Sequence, residues 1–140
     1  MMKGTYVLFL ESKKDQDIVI GKLGECRLKG GLYAYIGSAM GSSVNLENRI
    51  GRHKRMAETK EGNKQWHIDY VTTSTGVVVT GTLKVVGKAM ECKLAGMMKS
   101  SGGRVVLKGF GSSDCGCETH FFRITPEVAE AFLKAIPDAL

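Results

Sequence analysis

The chain has 140 residues, the size of one domain, and its 43% hydrophobic content argues against a disordered protein. Its formal net charge of +6 favours a polyanionic partner, because each phosphate that a protein neutralises releases a counterion. The sequence contains no apolar run near the roughly 20 residues that span a bilayer, so we expect no membrane association. Its start, Met-Met-Lys-Gly-Thr-Tyr, leads directly into a strand-like run, so we also expect no signal peptide. We expect the protein to be located in a reducing cytoplasm, in which its cysteine thiols are free or bind metal.

The first half of the chain predicts strands and one long helix. Residues 5–10 predict a buried strand, 17–22 and 26–28 short strands or a hairpin, and 32–37 a strand with Tyr33, Tyr35 and Gly37 on one face. A helix is expected over 44–58, with Ser43 as its N-cap and Leu46, Ile50 and Ala57 as its buried stripe. Residues 66–71 fit a strand or a short helix equally well.

The second half predicts alternating strands and helices. Strands are expected over 76–86, 104–108 and 118–124, and a helix over 88–99. A last helix is expected to begin at Thr125-Pro126-Glu127 and to end at Pro137. The pattern predicts an α+β fold with a small mixed, mainly antiparallel sheet flanked by helices. Residues 1–140 then form a single domain with a C-terminal strand–helix extension.

Three short patterns precede a glutamate on the second helix. They are Gly4-Thr5-Tyr6, Tyr35-Ile36-Gly37, and Arg49 with His53, and the glutamate is Glu91. This order resembles the GIY-YIG nuclease superfamily, although Thr5 stands where isoleucine is usual. The resemblance implies a GIY-YIG-like fold, and the long link between the first two motifs implies an inserted hairpin.

Within that superfamily the chain resembles the small stand-alone prokaryotic branch of Uri-type endonucleases. The similarity lies in a YIGSA loop, an R-I-x-R-H helix, a W-H-I-D-Y segment and a C-terminal F-G-S-S-D-C-x-C-x-x-H stretch. It implies a metal-dependent endonuclease that hydrolyses phosphodiester bonds, with DNA favoured over RNA.

The two tyrosines suit proton transfer. If their strands pair, Tyr6 and Tyr35 can share a face, about 5 Å apart when directly opposed. A phenol has a pKa near 10, so a nearby arginine or metal is needed to favour the phenolate. One tyrosine would accept the proton of the attacking water, directly or through His53. The sequence leaves open which tyrosine does so.

The remaining catalytic roles concern charge. The Arg49 guanidinium can hold two phosphate oxygens, and Glu91 can bind Mg²⁺ or Mn²⁺, which often takes only one or two carboxylates. The basic residues of the same helix region are expected to contact nucleic-acid phosphates: Arg52, Lys54, Arg55 and Lys60. Gly37 is an accessory residue of the site, and His67 and Asp69 would be a second acid–base or metal pair if they lay on a strand.

A cysteine-rich stretch near the C-terminus raises the question of zinc. Cys115, Cys117 and His120 offer three ligands, with Cys92, Cys26 or His67 as the fourth. Cys-x-Cys is not the usual zinc spacing, so a tight turn with semi-buried thiols is expected and structural zinc is not.

Two other functions fit the sequence. The charge and the basic helix are also typical of a non-catalytic nucleic-acid-binding module on the same fold. The cysteine-rich stretch is compatible with a zinc-stabilised interaction domain. The sequence does not determine the oligomeric state.

Overall fold

The computed structural model describes residues 2–41, 44–113 and 115–140. These residues form strands and helices, and four of the strands precede the first α-helix. The strands are β1 (Gly4–Ser12), β2 (Gln16–Val19), β3 (Glu25–Leu28), β4 (Gly31–Ala39), β5 (Val77–Val86), β6 (Arg104–Val105) and β7 (Phe121–Ile124). The helices are α1 (Leu46–Thr59), α2 (His67–Thr72), α3 (Glu91–Ser100) and α4 (Pro126–Ala139), with a short 3-10 helix at Gly21–Leu23.

Five strands form one sheet in the order β5-β1-β4-β7-β6, with β4 in the middle between β1 and β7. The pairs β1–β4, β1–β5, β4–β7 and β6–β7 are antiparallel. Strands β2 and β3 form a separate hairpin. In sequence it lies between β1 and β4, at the position of the expected insertion. The predicted α+β class, a mainly antiparallel sheet flanked by helices, is therefore confirmed.

The sheet separates two apolar cores. Tyr6, Leu8 and Tyr35 point to the face covered by α1 and α2, whereas Ala34 and Ile36 point to the face covered by α3 and α4. Because successive side chains of a strand alternate between faces, a central strand buried on both sides is apolar along its whole length. This explains the run of buried residues in β1 and β4.

The start of α1 differs from the prediction. The helix begins at Leu46, and the Asn45 side chain caps it by accepting a hydrogen bond from the Asn48 amide at 2.8 Å. Ser43, the expected cap, lies outside the described residues. The predicted buried stripe is confirmed and also includes His53.

Three further boundaries need correction. Helix α3 begins at Glu91 instead of residue 88, because the fully buried Thr5 hydroxyl binds the Lys88 carbonyl and the Met90 amide. Strands β6 and β7 are shorter than predicted, and the described residues between them, 106–113 and 115–120, form a loop.

The prediction that Pro137 ends α4 is wrong, since the helix continues to Ala139. A proline in a last turn removes one backbone hydrogen bond and crowds one carbonyl, and little helix remains after it to be disrupted.

Among the described residues, we find no helix with the length and apolarity that a membrane crossing requires.

Candidate active site

Tyr6 of β1 and Tyr35 of β4 lie on the same face of the sheet, one diagonal step apart. Tyr6 is paired with Gly37 and Tyr35 with Leu8, so the two tyrosines are not directly opposed. Their ring centroids are 6.3 Å apart, and both side chains are buried. The two phenols therefore belong to one buried cluster of side chains, which we call the tyrosine pocket.

Gly37 makes room for the Tyr6 ring. A Cβ atom at this position would lie 2.4 Å from both Cζ and the hydroxyl oxygen of Tyr6. Real Cβ contacts are essentially never this short, so the ring of Tyr6 lies over the bare backbone of β4. Gly37 thus has a steric role in the site, consistent with its expected accessory place.

His53 of α1 packs against the tyrosine pocket on the face of the sheet that α1 covers. Its Nε2 atom and the Tyr6 hydroxyl share a hydrogen bond of 2.6 Å, and the side chain is fully buried. The His53 ring centroid lies 5.5 Å from that of Tyr6 and 6.1 Å from that of Tyr35. The structure therefore joins the histidine to both tyrosines.

Arg49 lies one helical turn before His53 and is half-buried. Its Nη1 atom donates to the Ser38 carbonyl at 3.1 Å, and its guanidinium lies 4.2 Å from the centroid of the Trp66 ring. It also hydrogen-bonds to the Tyr6 hydroxyl, and its charge partly opposes the rise in the pKa of Tyr6 that burial causes. Stacking and hydrogen bonding fix the guanidinium at the edge of the tyrosine pocket.

Burial controls the protonation of the pocket. Burial and then Tyr35 raise the pKa of Tyr6, while Arg49 acts in the opposite direction. Burial and then Glu91 raise the pKa of Tyr35 above its ordinary value. Burial lowers the pKa of His53 to about 4, against the attraction of Asp69. At neutral pH both phenols are protonated, and the imidazole is neutral.

Glu91 is the first residue of α3, and its carboxylate acts on the same pocket. It raises the pKa of both Tyr6 and Tyr35, and its side chain is 36% exposed. Its Oε2 atom lies 3.6 Å from Nδ1 of His120. Thr5, which sequence reasoning treated only as a departure from the motif, secures the segment that leads to Glu91 through its two hydrogen bonds of 2.8 Å.

His67 and Asp69 lie on a helix and do not form the pair considered from the sequence. Both carboxylate oxygens of Asp69 accept hydrogen bonds from Arg52, at 2.8 and 2.9 Å. His67 instead accepts a hydrogen bond from the Gly111 amide at 2.8 Å and so fixes the loop beside Tyr35. Both residues thus support the site from outside it.

The four basic residues expected to bind phosphates fall into two groups. Lys54 and Arg55 are exposed on α1. Arg52 is bound to Asp69, and the Lys60 ammonium donates to the Thr72 and Val77 carbonyls at 3.1 and 2.6 Å. Arg52 and Lys60 therefore have structural partners within the protein, and Lys54 and Arg55 remain available to a ligand.

A cluster of metal-ligating side chains lies next to Glu91. We call the group of Cys92, Cys115, Cys117 and His120 the cysteine–histidine cluster; its ligand atoms all lie within 4.8 Å of one another. Desolvation, and then the neighbouring Cys92 and Cys115 thiols, raise the pKa of Cys117 to about 12. Cys26 lies in β3 with its side chain buried in the core, and His67 is bound to Gly111, so neither joins the cluster.

Residues 5–140 match the model of the family described as Domain of unknown function DUF123, and the chain belongs to this family. No curated protein and no solved structure matches the chain.

His53 provides a test of the buried pocket. Unfolded His53 has an ordinary pKa of 6.5, whereas the folded pKa is about 4, so the folded state resists protonation. We expect stability to be fully present above pH 6.5 and to fall as the pH drops toward 4. Urea unfolding of the wild type and His53→Gln across this range measures the effect, and the variant should lose less stability.

His67→Gln is the matched control, since His67 is only half-buried and burial also lowers its pKa. It should change the pH dependence less than His53→Gln does. The same pH slope in the wild type and in His53→Gln would show that His53 is not held neutral by burial.

Proposed function

We propose that this protein is a metal-dependent endonuclease that hydrolyses phosphodiester bonds in nucleic acid, with DNA as the expected substrate. The observation that carries the proposal is the contact of Tyr6 with both Tyr35 and His53, with Arg49 and Glu91 acting on the same two phenols. These five residues come from four different elements, and the sequence motifs that contain them resemble the GIY-YIG order.

Arg49 is the residue best suited to the phosphate. Its guanidinium is fixed by Trp66 and by the Ser38 carbonyl, so little conformational entropy remains to be lost on binding. A fixed cation beside the reacting phosphoryl group stabilises the negative charge that develops in the transition state. The exposed Lys54 and Arg55, on the same helix, would contact the backbone without reading sequence.

The Tyr6–His53 hydrogen bond provides a path for a proton. Neutral His53 can accept the Tyr6 proton at Nε2, and the resulting phenolate can take a proton from an attacking water. Burial opposes this transfer, because it raises the pKa of Tyr6 and lowers that of His53. Arg49 is the described cation that lowers the pKa of Tyr6, so the same residue would serve both the phosphate and the base.

Glu91 fits a hard divalent ion. Its carboxylate is partly exposed, and Mg²⁺ often binds through one or two carboxylates together with waters and phosphate oxygens. Bound there, Mg²⁺ or Mn²⁺ would supply a Lewis acid that stabilises the leaving oxygen. The chain's own contribution is the position of Glu91 at the start of α3, which Thr5 secures.

Cleavage assays on branched, single-stranded and duplex DNA, and on the matching RNA, test the proposal. We expect cleavage when Mg²⁺ or Mn²⁺ is added. We expect none when both ions are left out of the buffer, to which no chelator is added. Arg49→Gln is expected to lower the rate by about 100-fold or more, since it removes a fixed transition-state cation. Glu91→Gln is expected to reduce the metal-dependent rate strongly. Glu47→Gln and Arg104→Gln, at exposed positions, serve as the matched charge controls and should retain activity.

A second candidate is a non-catalytic nucleic-acid-binding module, favoured by the +6 charge and the exposed Lys54 and Arg55. It predicts salt-sensitive binding without cleavage of any substrate. That result, or cleavage undiminished in both Arg49→Gln and Glu91→Gln, would contradict the nuclease proposal.

A location in a reducing cytoplasm is also part of the proposal, because the four cysteines are free thiols in the structure.

A further inference from the structure

The cysteine–histidine cluster brings together residues that are distant in sequence. Cys92 lies in the first turn of α3, Cys115 and Cys117 lie in the loop of residues 106–120, and His120 directly precedes β7. Sequence spacing provided three of these ligands and left the fourth open. The fold selects Cys92 over Cys26 and His67.

The distances fit a tetrahedral ion. Zinc binds sulfur at about 2.3 Å and imidazole nitrogen at about 2.0–2.1 Å, so a tetrahedral site separates a sulfur and a nitrogen ligand by about 3.5 Å. The Cys115 sulfur lies 3.5 Å from Nε2 of His120. All four ligand atoms lie within 4.8 Å of one another, so a small contraction completes the site.

Packing does not account for the thiols. Cysteine is among the most buried residue types, yet Cys92 and Cys115 are exposed and Cys117 is half-buried. Phe110 anchors the first half of the loop that contains two of them in the core, whereas the part after Phe110, which contains both cysteines, is rich in glycine and serine. A metal that joins this cysteine-containing part to α3 would constrain it further.

His120 is oriented as a metal ligand. It is 2% exposed, and its Nδ1 atom has no hydrogen-bond partner within the described part of the chain. With Nε2 on a metal, Nδ1 carries the proton and faces the Glu91 carboxylate, 3.6 Å away. Metal-bound histidines characteristically direct their second nitrogen at a carboxylate or carbonyl in this way.

We propose that Cys92, Cys115, Cys117 and His120 bind one zinc ion as a structural site. Three sulfur ligands and one imidazole suit zinc rather than magnesium, and four protein ligands leave no open position for a substrate. The ion fixes the loop of residues 106–120 against α3 beside Glu91. This inference does not rest on the nuclease proposal, since it concerns separate ligands.

Elemental analysis of the full chain, purified without chelator or added metal, tests the site. We expect one equivalent of zinc per chain, and a lower melting temperature after the zinc is removed. Cys92→Ser is the main variant because its exposed position should tolerate the change, and Cys117→Ser is the second. Both should lose most of the zinc, whereas Cys26→Ala, a control that removes a distant thiol, should retain it.

Cobalt substitution gives an independent readout. Co²⁺ in the same site should produce thiolate charge-transfer absorption and the intense visible bands of a tetrahedral ion. Wild-type protein that takes up no zinc when Zn²⁺ is added, or that shows a disulfide among the three cysteines in place of metal, would overturn the proposal. Zinc is measured without substrate, so an inactive but zinc-loaded protein would contradict the nuclease proposal alone.

Discussion

Replacing Asp69 by alanine is expected to lower the free energy of unfolding by about 3–5 kcal/mol, the usual cost of removing one member of a buried ion pair. The Asp69 side chain is fully buried and accepts hydrogen bonds from Arg52 and from the Gln65 and Trp66 amides. Burial alone would raise its pKa, but these donors, Arg52 first, hold the pKa below its ordinary value. Chemical denaturation followed by circular dichroism measures the loss.

Asp17→Ala is the matched control for Asp69→Ala. Asp17 also pairs with an arginine, Arg27, but both side chains are more than half exposed. Exposed ion pairs contribute about 0–1 kcal/mol, so this change should be nearly silent. A double-mutant cycle with Arg52→Ala isolates the pair. Equal costs for Asp69→Ala and Asp17→Ala would contradict the role given to Asp69.

The position of Trp66 depends on this ion pair. Asp69 holds the Trp66 amide at 2.9 Å, and the Arg52 guanidinium lies 4.4 Å from the centroid of the Trp66 ring. Arg49 stacks on the same ring at 4.2 Å. Loss of Asp69 should therefore also reduce any activity that requires a fixed Arg49, even under conditions in which the variant remains folded.

Gly37→Ala is expected to cost about 3 kcal/mol, because the new methyl group would overlap the Tyr6 ring at 2.4 Å. Tyr6 cannot move aside easily, since it is buried and hydrogen-bonded to His53. The variant must shift either β4 or the tyrosine ring. We expect a lower melting temperature and, in the cleavage assay, a loss of activity larger than the loss of folded protein explains.

Gly81→Ala is the control for Gly37→Ala. Gly81 also lies in a strand of the sheet, but a Cβ atom there would be 4.0 Å from its nearest neighbour, a carbon of Phe9. The added methyl group meets no obstacle, so stability should change little. If Gly37→Ala were as stable as Gly81→Ala, the close fit of Tyr6 over β4 would not exist in solution.

Most strands and helices of the fold could be predicted from the sequence. Alternation in residues 32–37 predicted a strand with tyrosines on one face, and the spacing of Leu46, Ile50 and Ala57 predicted the buried side of α1. Residues 66–71 were ambiguous because six residues fit either period, and the structure selects a helix in which Asp69 accepts the Trp66 amide.

The candidate site was only partly readable. The sequence proposed that Tyr6, Tyr35, Arg49, His53 and Glu91 act together, and the structure brings them together. The sequence gave no sign that Arg52 is bound to Asp69 or that Lys60 binds two carbonyls, because the partners of a charged side chain depend on how helices and loops pack. The role of the Thr5 hydroxyl was also hidden, since a buried threonine in a strand resembles any β-branched residue.

The sequence by itself determined the class of the fold, the faces of its central strands and the order of the motif residues. These features follow from periods of 2 and 3.6 residues, which are properties of the local backbone. Only the tertiary structure decided that Cys92 joins Cys115, Cys117 and His120, and that this cluster lies beside Glu91. Such contacts depend on where α3 and the loop between β6 and β7 meet against the sheet, and no local period encodes the meeting of Cys92 with Cys115, 23 residues further along the chain.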